Sequence, residues 1–324
     1  SCRSGIEKQG TIIMKLCSRL LLATTILTSV LFWAPMVGAT GGGYTPGTEG
    51  AMGPTLPPPG LHYKQYNILI NADELTDTDG NKVDIDFDLT VFAQAHRFAY
   101  FTGKKLFGAD YGMSVVIPIV ATDVEIGAFD SDDSDIGLGD IFVEPFVLSW
   151  HKERWDIAFG TGFQFATGNW SNSGEPANGS VGSGGYQNAL LTTGATYYLD
   201  NAKSWSISAL SRTVLYVGEQ DETDYQPGDE FVVDWGIAKQ FQASKEMLIR
   251  PALVGYGYWQ FSDDKNRYDG GSNSDRGSKY AIGAEVNLFW LPRLAQFNLR
   301  YLQDIKAEDE TKAEVVVLSI VLSF

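Results

Sequence analysis

From residue 61 to residue 324 the chain is written in short segments in which apolar and polar residues alternate. Leu138 to Trp150 sets Ile141, Val143, Pro145 and Val147 on one face against Asp140, Phe142, Glu144 and Phe146 on the other. The next segment sets Trp155, Ile157, Phe159, Thr161, Phe163 and Phe165 against Asp156, Ala158, Gly160, Gly162 and Gln164. A period of two is the period of a β-strand. Read along the chain, it predicts strands near 61–71, 84–101, 110–123, 139–150, 154–166, 186–199, 204–217, 229–240, 247–260, 278–289, 296–303 and 313–324. The connections switch regularly between a few residues, such as 151–154, and long polar tracts, such as the Gly, Ser and Asn run 168–185. Antiparallel strands that return alternately to opposite sides of a membrane need this rhythm, and in lipid only closure satisfies every backbone group. The pattern therefore predicts an all-β fold: a transmembrane antiparallel β-barrel of about 12 strands, with short periplasmic turns and long extracellular loops.

Other features fit the same picture. Many aromatic residues fall near predicted strand ends, among them Tyr100, Phe101, Phe107, Tyr111, Trp150, Trp155, Tyr197, Trp205, Trp290 and Tyr301, where girdles at the two membrane interfaces would place them. A packed sandwich core is the competing reading of these rings. The last strand favours the barrel: Val316, Leu318, Ile320, Leu322 and Phe324 share one face, and the sequence stops on the aromatic, as in the C-terminal signal read by the outer-membrane assembly machinery. Mean hydropathy is only -0.11, and no stretch after the leader is long and apolar enough for a spanning helix, so a helical transporter is excluded.

The leader itself runs through Lys15 and Arg19, the apolar stretch Leu20 to Val37, and the small residues of Val37-Gly38-Ala39. This is the order of a secretory signal peptide, with cleavage expected after Ala39; the residues before Met14 read as an upstream extension. Both cysteines, Cys2 and Cys17, fall in this discarded part, so the mature chain needs no disulfide. The domain plan is thus 1–39 extension and cleaved signal peptide, 40–60 a Gly- and Pro-rich segment, and 61–324 a single barrel. Removing the first 39 residues takes the net charge from -16 to -19, with 39 acidic and 20 basic residues left. Nucleic acid is not an expected partner of so acidic a chain.

Several short motifs then occur in one order: Leu56-Pro57-Pro58-Pro59-Gly60, Asp79-Gly80-Asn81-Lys82-Val83, Lys104 to Met113, Gly137-Leu138-Gly139-Asp140 and Gly228-Asp229-Glu230-Phe231. In these the chain, from about Pro57 to Phe324, resembles the SphA-like outer-membrane proteins of the MetA-pathway of phenol degradation family. The resemblance implies a monomeric twelve-stranded channel in the outer membrane of a Gram-negative bacterium, often encoded beside genes for degrading aromatic or other hydrophobic compounds. It implies a pore rather than an enzyme and supplies no catalytic motif.

If the polar parity of each strand faces inward, the lumen is lined by Asp86, Asp88, Gln94 and His96, by Asp140, Glu144, Asp156 and Gln164, and by Arg212, Asp234, Arg250, Glu285 and Arg300. Charges held there must pair or touch water. Arg212, Arg250 and Arg300 are expected to face Asp88, Glu144, Asp234 and Glu285, either along a solute passage or as braces of the barrel interior. The 40–60 segment cannot easily join a ladder; it either enters and narrows the lumen or hangs as a loose periplasmic tail. The acidic runs Asp130 to Asp135 and Asp77 to Asn81 offer oxygen ligands, but the second has Lys82 where a calcium hand needs Gly. Both read as solvated extracellular charge, and no metal or cofactor is assigned.

A barrel enzyme, a lipid or peptide hydrolase, would need a Ser or acid beside a His. Only His62, His96 and His151 exist, and they show no grouping with such partners. The expected function is a passive outer-membrane channel for small hydrophobic or aromatic molecules. Its other expected neighbours are outer-membrane lipid, lipopolysaccharide and the assembly machinery through Phe324. A hydrolase and a purely structural or adhesive barrel are the alternatives.

Overall fold

The structure, a computed structural model, describes residues 43–171, 177–221, 223–266 and 272–324; the leader and both cysteines lie outside these residues. Twelve barrel strands follow one another: β1 Gly60–Leu75, β2 Phe87–Leu106, β3 Ala109–Ile126, β4 in two pieces (Ser131–Leu138 and Ile141–His151), β5 Trp155–Phe165, β6 Gln187–Tyr198 and β7 Trp205–Val217. Next come β8 Glu230–Lys239 with its continuation Phe241–Gln242, β9 Met247–Gln260, β10 Ser278–Trp290, β11 Ala295–Glu308 and β12 Thr311–Ser323. Every strand pairs antiparallel with its sequence neighbours, and β12 returns to β1 from His62↔Ser323 to Leu75↔Thr311. The ring of strands is closed, and the piece Ser131–Leu138 pairs on one side only, with β3.

Alternation sorts the side chains as the sequence pattern predicts over most of the wall. On β11, Asn298, Arg300 and Leu302 are buried inside while Phe297, Leu299 and Tyr301 are exposed outside. Leu318 lies outward on β12 and Val317 inward. The inner face of the extracellular half is apolar: Ile68, Ile70, Leu89, Val91, Val120, Val124, Val315 and Val317 form one buried cluster, joined by Ala177 and Val181 from the connection after β5.

Two local departures matter for the lumen. The register between β4 and β5 slips between Val143 and Phe146, a bulge that places two residues opposite one. Glu144 points inward as alternation predicts, whereas Phe146, expected on the same side, is moved to the other face and packs against Tyr111 and Phe159 at ring-centroid distances of 5.8 and 6.3 Å. The expected 124–138 loop is also a hairpin: β3 continues to Ile126, and Ser131–Leu138 pairs along it from Ile126↔Ser131 to Ile119↔Leu138. The ladder of β4 breaks at Gly139 and Asp140, where Gly139 N still donates to Pro118 O at 3.0 Å.

Candidate functional site

The 43–59 segment lies inside the barrel. Gly43 N donates to Tyr216 Oη at 2.7 Å near the extracellular end of β7, Thr55 bonds Thr196 at 3.1 Å, and Pro58 O meets His62 Nε2 at 2.8 Å by the periplasmic mouth. Too rich in Gly and Pro to extend a ladder, the segment instead turns through Gly47 and Gly50, at φ +81 and +60, into a single 3-10 turn, Gly50–Met52. The wall makes room for that turn. A Cβ on Gly236 of β8 would lie 2.6 Å from the Cβ of Ala51.

The wall's charged residues hold this segment. Asp234 accepts Gly47 N at 2.8 Å, Glu49 N at 3.3 Å and the Tyr44 hydroxyl. Arg300 Nε bonds Glu285 at 2.6 Å while its terminal nitrogen donates to Thr48 O at 2.8 Å and to Gly47 O. Glu285 also accepts from Asn287 at 2.5 Å. Arg250 reaches Met52 Sδ and donates to Gln240. In the middle of the lumen, Glu49 receives Arg97 at 2.7 Å, Lys64 and the Tyr66 hydroxyl at 2.9 Å each, and Arg212 at 3.5 Å. Arg212 lies over the Tyr44 ring, 4.2 Å from its centroid, and Arg97 also bridges to Glu144, which accepts from Ser114 at 2.6 Å.

Two cavities flank this cluster. The larger, about 440 Å³, occupies the periplasmic half between the segment and the wall and is lined by Phe101, Val147, Phe159, Leu210 and Phe289 among others. The smaller, about 110 Å³, lies on the extracellular side beside Pro118, Asp140 and Phe142. Glu49, Arg97 and Arg212 are the side chains common to both linings.

Of the residues expected in the lumen, Glu144, Arg212, Asp234, Arg250, Glu285 and Arg300 are buried inside. Asp86, Asp88 and His96 are not. Asp86 sits exposed in the connection before β2, Asp88 is exposed on the outer side of β2, and His96 lies on the same outer side, bonded to the Tyr63 hydroxyl at 2.7 Å. Gln94 faces outward with them and bonds Asn67 at 3.0 Å. The inward parity of β2 is instead Leu89, Val91, Ala93, Ala95 and Arg97, because the upper lumen is an apolar core and the polar side chains take the outer face. Of the three arginines expected to face these four acids, Arg300 meets Glu285; Asp234 is met by amides of the segment, Glu144 by Arg97, and Asp88 takes no part.

The sequence reading missed Glu49, Lys64 and Arg97. Lys64 was recoverable, since it alternates with Tyr66, Ile68 and Ile70 on one face of β1; Arg97 was hidden by the reversed face of β2. It also missed a hydrogen-bonded row at the periplasmic rim: Ser149 Oγ lies 3.0 Å from His151 Nε2, and His151 Nδ1 3.0 Å from Asp156. This has the order of a hydrolytic triad, yet Ser149 is fully buried and lines neither cavity. Among the described residues no group of three or more His, Cys, Asp or Glu converges as a metal site. Asp133 accepts Gly179 N at 2.8 Å and Asp135 the Asn169 side chain at 3.1 Å.

The barrel is similar to an outer membrane channel from Pseudomonas putida F1, with a TM-score of 0.69 and 16% identity over 86% of this chain and 99% of that one. It is also similar to the β-domain of the Bordetella autotransporter BrkA, with a TM-score of 0.53 and 8% identity over 82% of this chain and 99% of that one. At such identities these likenesses establish the fold alone. A comparison with curated proteins finds no significant match. The family model "Putative MetA-pathway of phenol degradation" matches residues 72–320. With that match over most of the chain, the protein belongs to this family, and its fold is a closed twelve-stranded barrel.

Proposed function

We propose that this protein is a passive channel through which small hydrophobic or aromatic molecules enter a Gram-negative cell. The observation that carries the reading is the cavity of about 440 Å³ inside the barrel, walled by Phe101, Val147, Leu210 and Phe289. Its volume falls in the range of sites that enclose small organic ligands, about 300–1,000 Å³. Apolar walls with a few convergent polar groups suit a solute with an aromatic or aliphatic body. Family membership supports the same substrate class.

The route is assigned from the wall break at Gly139 and Asp140. The smaller cavity is lined by Pro118 and Asp140 beside the interrupted ladder, which supports exchange of apolar solutes between bilayer and lumen at this point. Outward Leu, Ile and Phe side chains suit lipid and lipopolysaccharide, and the exposed Phe324 at the periplasmic end suits recognition by the assembly machinery. A lipid or peptide hydrolase is disfavoured by the buried Ser149. The test is uptake of a labelled neutral aromatic, such as toluene, by a deletion strain with and without the restored gene. Faster entry on restoration is expected; equal rates at low solute concentration would overturn the proposal.

A further inference from the structure

The contacts around Glu49 describe a receptor for a carboxylate built by the wall, with the acid supplied from elsewhere. Its donors come from three strands: Lys64 and Tyr66 on β1, Arg97 on β2 and Arg212 on β7. The anion comes from the segment threaded through the lumen. Guanidinium forks match planar carboxylates, and a buried cation deprived of its anion is strongly destabilised. Without Glu49, Lys64 and Arg212 lose their carboxylate partner and Arg97 keeps only Glu144, so the cations there favour another carboxylate.

Three further observations point to an exchangeable ligand rather than a closed structural pair. First, the donors exceed the acceptors: the Nε atoms of Arg97 and Arg212 are buried without a hydrogen-bond partner, and the Arg212 side chain is only 7% exposed. Second, three cations, Lys64, Arg97 and Arg212, face two carboxylates, Glu49 and Glu144. Third, Arg97, Arg212 and Glu49 border both cavities, so a solute in either one reaches the same guanidinium groups, and the larger cavity offers Phe101 and Phe289 to its body. We infer that Lys64, Tyr66, Arg97 and Arg212 form a carboxylate-binding site that Glu49 fills in the closed state, and that a solute monocarboxylate with an apolar body takes its place. This inference rests on the lumen being a solute path and adds aromatic and aliphatic monocarboxylates to the solutes it takes.

The test uses the full-length protein in uncharged detergent, titrated calorimetrically with benzoate, benzyl alcohol and benzylamine, which share a ring and differ in the polar group. Removing the resident acid with Glu49→Gln frees the site, so benzoate affinity should rise about tenfold or more while benzyl alcohol changes little. Adding Arg97→Gln or Arg212→Gln to that variant should remove the gain, and Arg212→Lys should restore part of it. Folding of each variant is verified by the heat-dependent gel shift of a closed barrel; should either Gln double variant not fold, Lys64→Gln on the Glu49→Gln background serves instead. Equal affinities of Glu49→Gln for benzoate and benzyl alcohol, or a benzoate gain that persists without the arginines, would overturn the site. Toluene permeation of proteoliposomes is followed in parallel. Permeation without benzoate selectivity defeats this inference and leaves the uptake reading standing; benzoate binding without toluene permeation does the reverse.

Discussion

Arg300 and Glu285 stand directly opposite each other on β11 and β10, with Nε 2.6 Å from the carboxylate and both side chains almost wholly buried. The pair also carries the segment: Arg300 donates to Thr48 O at 2.8 Å and Glu285 accepts from Ala51 N at 3.4 Å. Arg300→Ala leaves the Glu285 charge uncompensated and should cost about 3–5 kcal/mol of barrel stability. Replacing both by Met and Leu should recover most of that loss. Urea midpoints in lipid vesicles measure both effects, and a single variant as stable as the parent would refute the assignment.

Asp234 pins the segment by three hydrogen bonds, from Tyr44, Gly47 and Glu49. Each bond to a charged group contributes about 1.5–3 kcal/mol, so Asp234→Ala should raise the population with the segment displaced by at least roughly tenfold. Planar-bilayer recordings should show larger or more frequent openings, and deletion of residues 40–52 should show the same. Unchanged current in both would mean that the segment does not obstruct the path.

Leu299 lies near mid-wall on β11, outward and half exposed, between Val286 and Leu318. In hydrocarbon a charge there has no partner. Leu299→Arg should destabilise the barrel by about 2–4 kcal/mol, whereas the same change nearer the end of the strand, at Ile305, should cost less. Folding into vesicles of defined thickness reads the difference; equal costs at the two depths would contradict the lipid-facing assignment.

The extracellular turn after β1 carries its own pH dependence. Asp77 accepts backbone amides from Asn81 at 2.8 Å and Asp79 at 3.0 Å, and also bonds the Asn81 side chain. The Asn81 amide, with these other donors, holds the Asp77 carboxyl below its ordinary range. Because the folded value is depressed, its stabilisation is present above the unfolded value and lost as pH falls through the folded one. The turn should therefore stay ordered at neutral pH and loosen only in strong acid, and Asp77→Asn should remove that acid transition. Loop-resolved hydrogen exchange across pH tests this.

Whatever depends on a period of two was legible in the sequence. The alternation of β5 through β12, the short and long connections and the apolar outer face of β12 all follow from neighbouring residues pointing to opposite sides of a strand. Glu144, Arg212, Asp234, Arg250, Glu285 and Arg300 could be placed inside for the same reason. What lies on the two sides of a strand is a separate question. On β2 an apolar lumen and a polar outer face invert the usual sorting, so Asp88 and His96 were placed on the wrong side, and just past Glu144 a bulge shifts the face in mid-strand. The meeting of Glu49 with Lys64, Arg97 and Arg212 joins positions up to 163 residues apart. Local pattern carries no trace of such a meeting. Closure of the ring brings the strands around a single interior, and only there does the segment find the charges that hold it.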